Sequence, residues 1–76
     1  MRVTITGCRH GMSKVRLTRY LKANTEWSWA QAKNAADDVR FGMEVIAEFP
    51  DTSDGVDVEF DLMEICVTCI ISKSEP

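Results

Sequence analysis

Residues 13–42, SKVRLTRYLKANTEWSWAQAKNAADDVRFG, carry the feature that most restricts the fold: two consecutive segments of helical period, set between segments of period two. In the first, Leu17 and Leu21 stand four apart with Tyr20 beside them, while Lys14, Arg16, Arg19 and Lys22 fill the remaining surface. That is the pattern of a helix with one buried stripe. Ser13 is placed to cap it, since a serine hydroxyl ahead of the first turn accepts a bond from an unpaired amide, worth about 1 kcal/mol. Asn24-Thr25-Glu26 breaks the run. A second helix starts at Ser28: Ser28 and Gln31 have capping-box spacing, and Trp27 occupies the staple position before the cap. Trp29, Ala32, Ala36 and Val39 recur at helical spacing, and the alanines let this helix approach its neighbours closely. Phe41-Gly42 ends it, glycine being the residue that accepts a left-handed backbone at a helix terminus.

The flanking segments read as strands. Val3 and Ile5 alternate with Arg2, Thr4 and Thr6 across Met1–Gly7, a half-buried pattern rich in β-branched residues. Met43, Val45, Ala47 and Phe49 alternate with Glu44, Ile46 and Glu48, and Pro50 stops that run. Residues 56–66 satisfy two periods: Val56, Val58, Phe60 and Leu62 alternate, whereas Val58, Leu62, Ile65 and Cys66 fit one helical face with Asp57 as cap. The expectation is a short helix near 57–65, then a last strand over 67–72. The order is therefore β-α-α-β-α-β, an α+β chain folded as a two-layer α/β sandwich, with a three-stranded sheet and helices on one face. Residues 1–72 form one domain and residues 73–76 a disordered tail.

A chain of 76 residues buries only about 60% of the surface its unfolded form exposes, so the core is small. Its longest apolar run, Ile65 to Ile71, is interrupted by Thr68 and far short of the about 20 residues a bilayer span needs. No long apolar segment of a signal peptide stands at the start, and the three cysteines are an odd number. Both point to a cytoplasmic protein with free thiols. The net charge of −3 hides a division: residues 1–40 carry +5 and residues 41–76 carry −8. One face is thus suited to an acidic partner, and the same division also serves plain solubility.

The run Lys14-Val15-x-Leu17-x-Arg19-x-x-Lys22-x-x-Thr25-x-Trp27-x-Trp29-x-x-Ala32-Lys33 resembles the helix-turn-helix core of the C-terminal domain of the bacterial ribosomal large-subunit stalk protein. Twenty residues align without a gap. The resemblance implies the same element order and a surface on the helix pair that recruits translational GTPases. It places partner-binding positions on Lys14, Val15, Thr18, Arg19, Lys22 and Lys33. The family's two turn glycines are Glu26 and Ser28 here, and its isoleucine contact is Thr18.

Other constellations carry chemistry in principle. Cys8, His10, Cys66 and Cys69 have the number and type of ligands for a tetrahedral zinc, but Cys66 and Cys69 lie in ICVTCII, where cysteines serve as small core residues. The acidic loop from Asp51 has glycine one place early for a calcium loop and Leu62 where a bidentate glutamate is required. His10 is the sole histidine and has no visible orienting group, so neither catalysis nor a cofactor is expected. A basic helix with Trp27 or Trp29 nearby could also bind nucleic acid, against the repulsion of the acidic second half. The expectation is a monomeric, non-enzymatic interaction module with no membrane contact. It docks a larger, acidic-surfaced cytoplasmic protein, translation- or host-related, through its basic helices, with Val15 and Trp27 as apolar anchors. Its size suits an accessory or inhibitory protein, such as one from a bacteriophage. Nucleic-acid binding and a zinc-stabilised mini-domain are the alternatives.

Overall fold

Six elements form in the computed structural model, which describes residues 1–72: β1 (Arg2–Cys8), α1 (Lys14–Asn24), α2 (Trp29–Arg40), β2 (Val45–Glu48), α3 (Gly55–Glu64) and β3 (Val67–Ser72). The tail expected at 73–76 lies outside the described residues. The strands make one antiparallel sheet in the order β2-β1-β3. Val3 of the central strand stands opposite Ala47 and Ile71, and Ile5 opposite Val45 and Cys69. Strand side chains alternate in direction, so these six share the inner face, where Val3, Ile5 and Ala47 are wholly buried. Arg2 pairs with Glu48 on the outer face, and the Thr6 and Thr68 hydroxyls bond at 2.9 Å. A register shift between Ile5 and Gly7 then turns Cys8 to the side of Val67, where its Sγ donates to the Val39 carbonyl of α2.

All three helices cover the inner face. α2 lies over β1 and β2 through Ala32, Ala35, Ala36 and Val39, small residues that bring its backbone close to the sheet. Against α2 lies α1, which buries Leu17 and Leu21 completely. α3 covers β3 with Val58, Leu62 and Ile65. Tyr20 ties α1 to α3 by donating to the Asp61 carboxylate at 3.2 Å, and its ring meets Phe49 with centroids 5.9 Å apart. Burial, then the Asp61 charge, pushes this phenol well above the usual tyrosine range. Among the described residues the core contains no polar side chain.

The helix caps follow the expected chemistry. Ser13 accepts from the Arg16 amide, and Ser28 and Gln31 exchange both bonds of the capping box at 3.2 and 2.8 Å. At the end of α2, Gly42 adopts φ 84° while its amide donates to Val39 and that of Met43 donates to Asp38. This closure explains one departure from expectation. Met43 fits the alternation of the second strand, but its amide is spent on the helix end, so β2 begins only at Val45 and Met43 is exposed. At α3 the cap is Asp54, whose carboxylate accepts from Val56 at 2.8 Å, not Asp57, which falls in the first turn. Cys66, expected on the helical face, instead takes the left-handed position after α3 with φ 65°, where α2 has Gly42.

No atom lies within 4 Å of a Cβ built on Gly42, so its requirement is purely conformational. Gly42→Ala should destabilise the chain by about 1 kcal/mol through left-handed strain alone. Urea denaturation would read this as a lower midpoint with an unchanged slope.

Candidate functional site

α1 and α2 run antiparallel, and their seam is closed at both ends by side chains from the cationic surface. At one end Lys14 Nζ donates to Asp37 Oδ1 at 2.8 Å; at the other Lys22 Nζ stands 5.9 Å from the centre of the Trp29 ring. Between these clamps runs a groove of about 230 Å³ lined by Lys14, Val15, Thr18 and Arg19 of α1 and by Trp29, Lys33 and Asp37 of α2. Its apolar floor is open to solvent: Val15 is 61% and Trp29 59% exposed. Thr18 spends its hydroxyl on the Lys14 carbonyl at 2.7 Å, which leaves its methyl as the group free for a guest.

The local sequence explains the placement. On α1, Leu17 and Leu21 take the buried stripe, so Lys14, Val15, Thr18 and Arg19 fall beside and outside it. On α2, Trp29, Lys33 and Asp37 stand four apart and form a second stripe along the edge of the buried one. Residues four apart share a helix face, so the two stripes meet across the seam. Lys14 holds the Asp37 carboxyl below the usual carboxylate range, chiefly by its hydrogen bond, with Lys33 and Arg40 adding through space. Arg19 and Lys33 remain exposed beside the groove.

Five of the residues singled out in the sequence, Lys14, Val15, Thr18, Arg19 and Lys33, line this groove, and Lys22 covers its far end. Trp27 does not line it: that indole is half-buried and packs against the core. Its place is taken by Trp29, which the spacing had put on the buried stripe. Trp29 opens α2 directly after the Ser28 cap, at the edge of the face formed by Ala32, Ala35, Ala36 and Val39 and in line with Lys33 and Asp37, on the side of the α1 seam. Asp37 was also missed. Its four-residue spacing from Lys33 was readable, but its partner Lys14 is 23 residues away in the chain.

The candidate zinc ligands do not gather. Cys8 bonds the α2 backbone, His10 stands exposed in the following loop, Cys66 terminates α3 and Cys69 lies opposite Ile5 on the inner face. Among the described residues no three His, Cys, Asp or Glu side chains are arranged to hold a metal ion. Burial, then the charge of Glu59, pushes the Cys69 thiol up, which opposes use as a thiolate. A second groove of about 420 Å³, between residues 23–26 and 48–50, carries Glu26 and Glu48 and no cation. Among the described residues no helix is long and apolar enough to cross a membrane.

Comparison of the chain with protein-family models, curated proteins and solved structures returns no match in any of the three. The groove must be interpreted from its own chemistry.

The Lys14–Asp37 clamp has a measurable signature. A carboxyl depressed in the folded state stabilises it above the ordinary aspartate range, and that contribution is lost as pH falls through the lowered value. NMR titration should find Asp37 ionised below the usual range, and Lys14→Met should move it upward. An unmoved Asp37 would show that the clamp is open in solution.

Proposed function

We propose that the chain is a small, non-enzymatic protein-interaction module that docks an acidic patch of a larger cytoplasmic protein on the α1–α2 groove. One observation carries this reading: an exposed apolar floor, Val15 and Trp29, surrounded by Lys14, Arg19, Lys22 and Lys33. Exposed apolar groups cost solubility when left bare, and a cluster of them within a charged rim is the composition of a protein-binding centre. The aromatic and the valine act as anchors that lose water on docking, while the cations steer the partner and set its register. The groove is below the roughly 300–1,000 Å³ of small-molecule sites, which favours a side chain of a partner over a free metabolite. The resemblance of residues 14–33 to the stalk C-terminal domain supports a partner among the translational GTPases.

The exposure of Trp29 favours one second reading, in which the indole stacks on a nucleobase and the cations follow the phosphates. A salt titration separates the two. Phosphate binding loses affinity steeply with salt, with a slope near 0.7 per contacted phosphate on a single strand.

Arg19→Glu combined with Lys22→Glu should abolish capture of the partner from a bacterial lysate, yet lower the melting temperature by only a few degrees. Neither side chain belongs to the core, and exposed charges contribute little to stability. Capture that persists in the double variant would remove the basic-groove reading.

A further inference from the structure

A second unpartnered surface lies on α3. Val56, Phe60 and Met63 are 67%, 63% and 53% exposed, and their spacing of four and three aligns them in one ridge. The ridge points away from Val58 and Leu62, which face the sheet. Asp57 and Glu64 flank it on one side and Glu59 on the other, and α3 contains no basic residue. An acidic helix with apolar anchors at such spacing is the form of ligand that lies in an apolar groove with a basic rim. The molecule carries such a groove. Its rim sets Lys14, Arg19, Lys22 and Lys33 against one carboxylate, Asp37, already paired with Lys14, and α1 contains no acidic residue. Its volume of about 230 Å³ suits one large side chain, and Phe60 is the middle anchor of the ridge.

We propose that the chain associates head to tail: α3 of a second copy lies in the α1–α2 groove, with Phe60 against Val15 and Trp29 and the α3 carboxylates facing Arg19, Lys22 and Lys33. This rests on the groove being a docking surface and adds a regulation of it, because a second copy and a foreign partner compete for the same floor. Pairing of two α3 ridges with each other is disfavoured, since it sets carboxylates against carboxylates. The contact joins unlike surfaces, so each dimer keeps one free groove and one free ridge, and growth continues with concentration. One helix on one groove buries less than the roughly 1,200 Å² of stable interfaces, which makes the association weak and reversible.

Sedimentation equilibrium of the full chain tests this. The wild type should show an average mass that rises with protein concentration and falls as salt goes from about 0.1 to about 1 M, where the Debye length shrinks from about 10 to about 3 Å. Phe60→Asp and Arg19→Glu should each be monomeric at concentrations where the wild type associates. An equal mixture of the two should form dimers and nothing larger, because one intact groove then meets one intact ridge. Circular dichroism should show the wild-type fold for both variants, since both side chains are exposed. A wild type that stays monomeric throughout, an association indifferent to salt or to Phe60→Asp, or a mixture that remains monomeric overturns the proposal. Partner capture by the Phe60→Asp chain reads the docking function separately: it should persist whether or not copies associate, and its loss alone would count against the groove's proposed role.

Discussion

The structure depends on burying the inner face of β1. Val3 and Ile5 lie in the central strand, flanked on both sides by paired residues, and both are fully excluded from water. A three-stranded sheet cannot cover its own apolar face, so something must lie over that pair. The alanine face of α2 does so at short range, and its lack of bulk leaves room for Leu17 and Leu21 of α1 and Leu62 of α3 in the same layer. Removing two leucine-sized side chains from such a core would forfeit several kcal/mol, a large part of the total for a chain this short.

That packing fixes the outer surface as a consequence. Once α2 turns Ala32, Ala36 and Val39 to the sheet, Trp29, Lys33 and Asp37 must lie along its edge, and α1 meets that edge with Val15 and Thr18. The clamps at the two ends of the seam are half-buried and open to water on one side, so each is individually weak. Their role is geometric, since Lys14 on Asp37 and Lys22 on Trp29 bound the groove at either end. Of the exposed apolar groups, Val15 and Trp29 lie in the basic seam and Val56, Phe60 and Met63 on the acidic ridge of α3, two regions of opposite charge. Neither contributes to the core, so both are free to serve contacts with other molecules.

Much of this was readable along the chain because the signals are local. Ser13, Ser28 with Gln31, and Gly42 mark helix ends through bonds made within a few residues, and each behaves as its chemistry demands. The double pattern of residues 56–66 resolves as a helix, since Val58, Leu62 and Ile65 can then face the sheet together. The errors arise where two local rules compete. Met43 fits the alternation of a strand, yet its amide closes α2. Cys66 fits a helical face, yet the chain must turn there to bring β3 beside β1, and the turn requires a left-handed residue.

The sequence by itself determined the element order, the caps of α1 and α2 and the separation of positive from negative charge, all of which arise from side chains near one another in the chain. Only the tertiary structure decided which tryptophan faces water. Trp27 and Trp29 are two residues apart on either side of a cap, and their fates differ because one falls over the core and the other over the helix seam. The same holds for the cysteines and His10, whose types suggested a metal and which, among the described residues, form no group of three arranged to hold one. Which distant groups share a surface depends on how helices lie on a sheet, and that is fixed by the fit of side chains far apart in the chain, which no local period records.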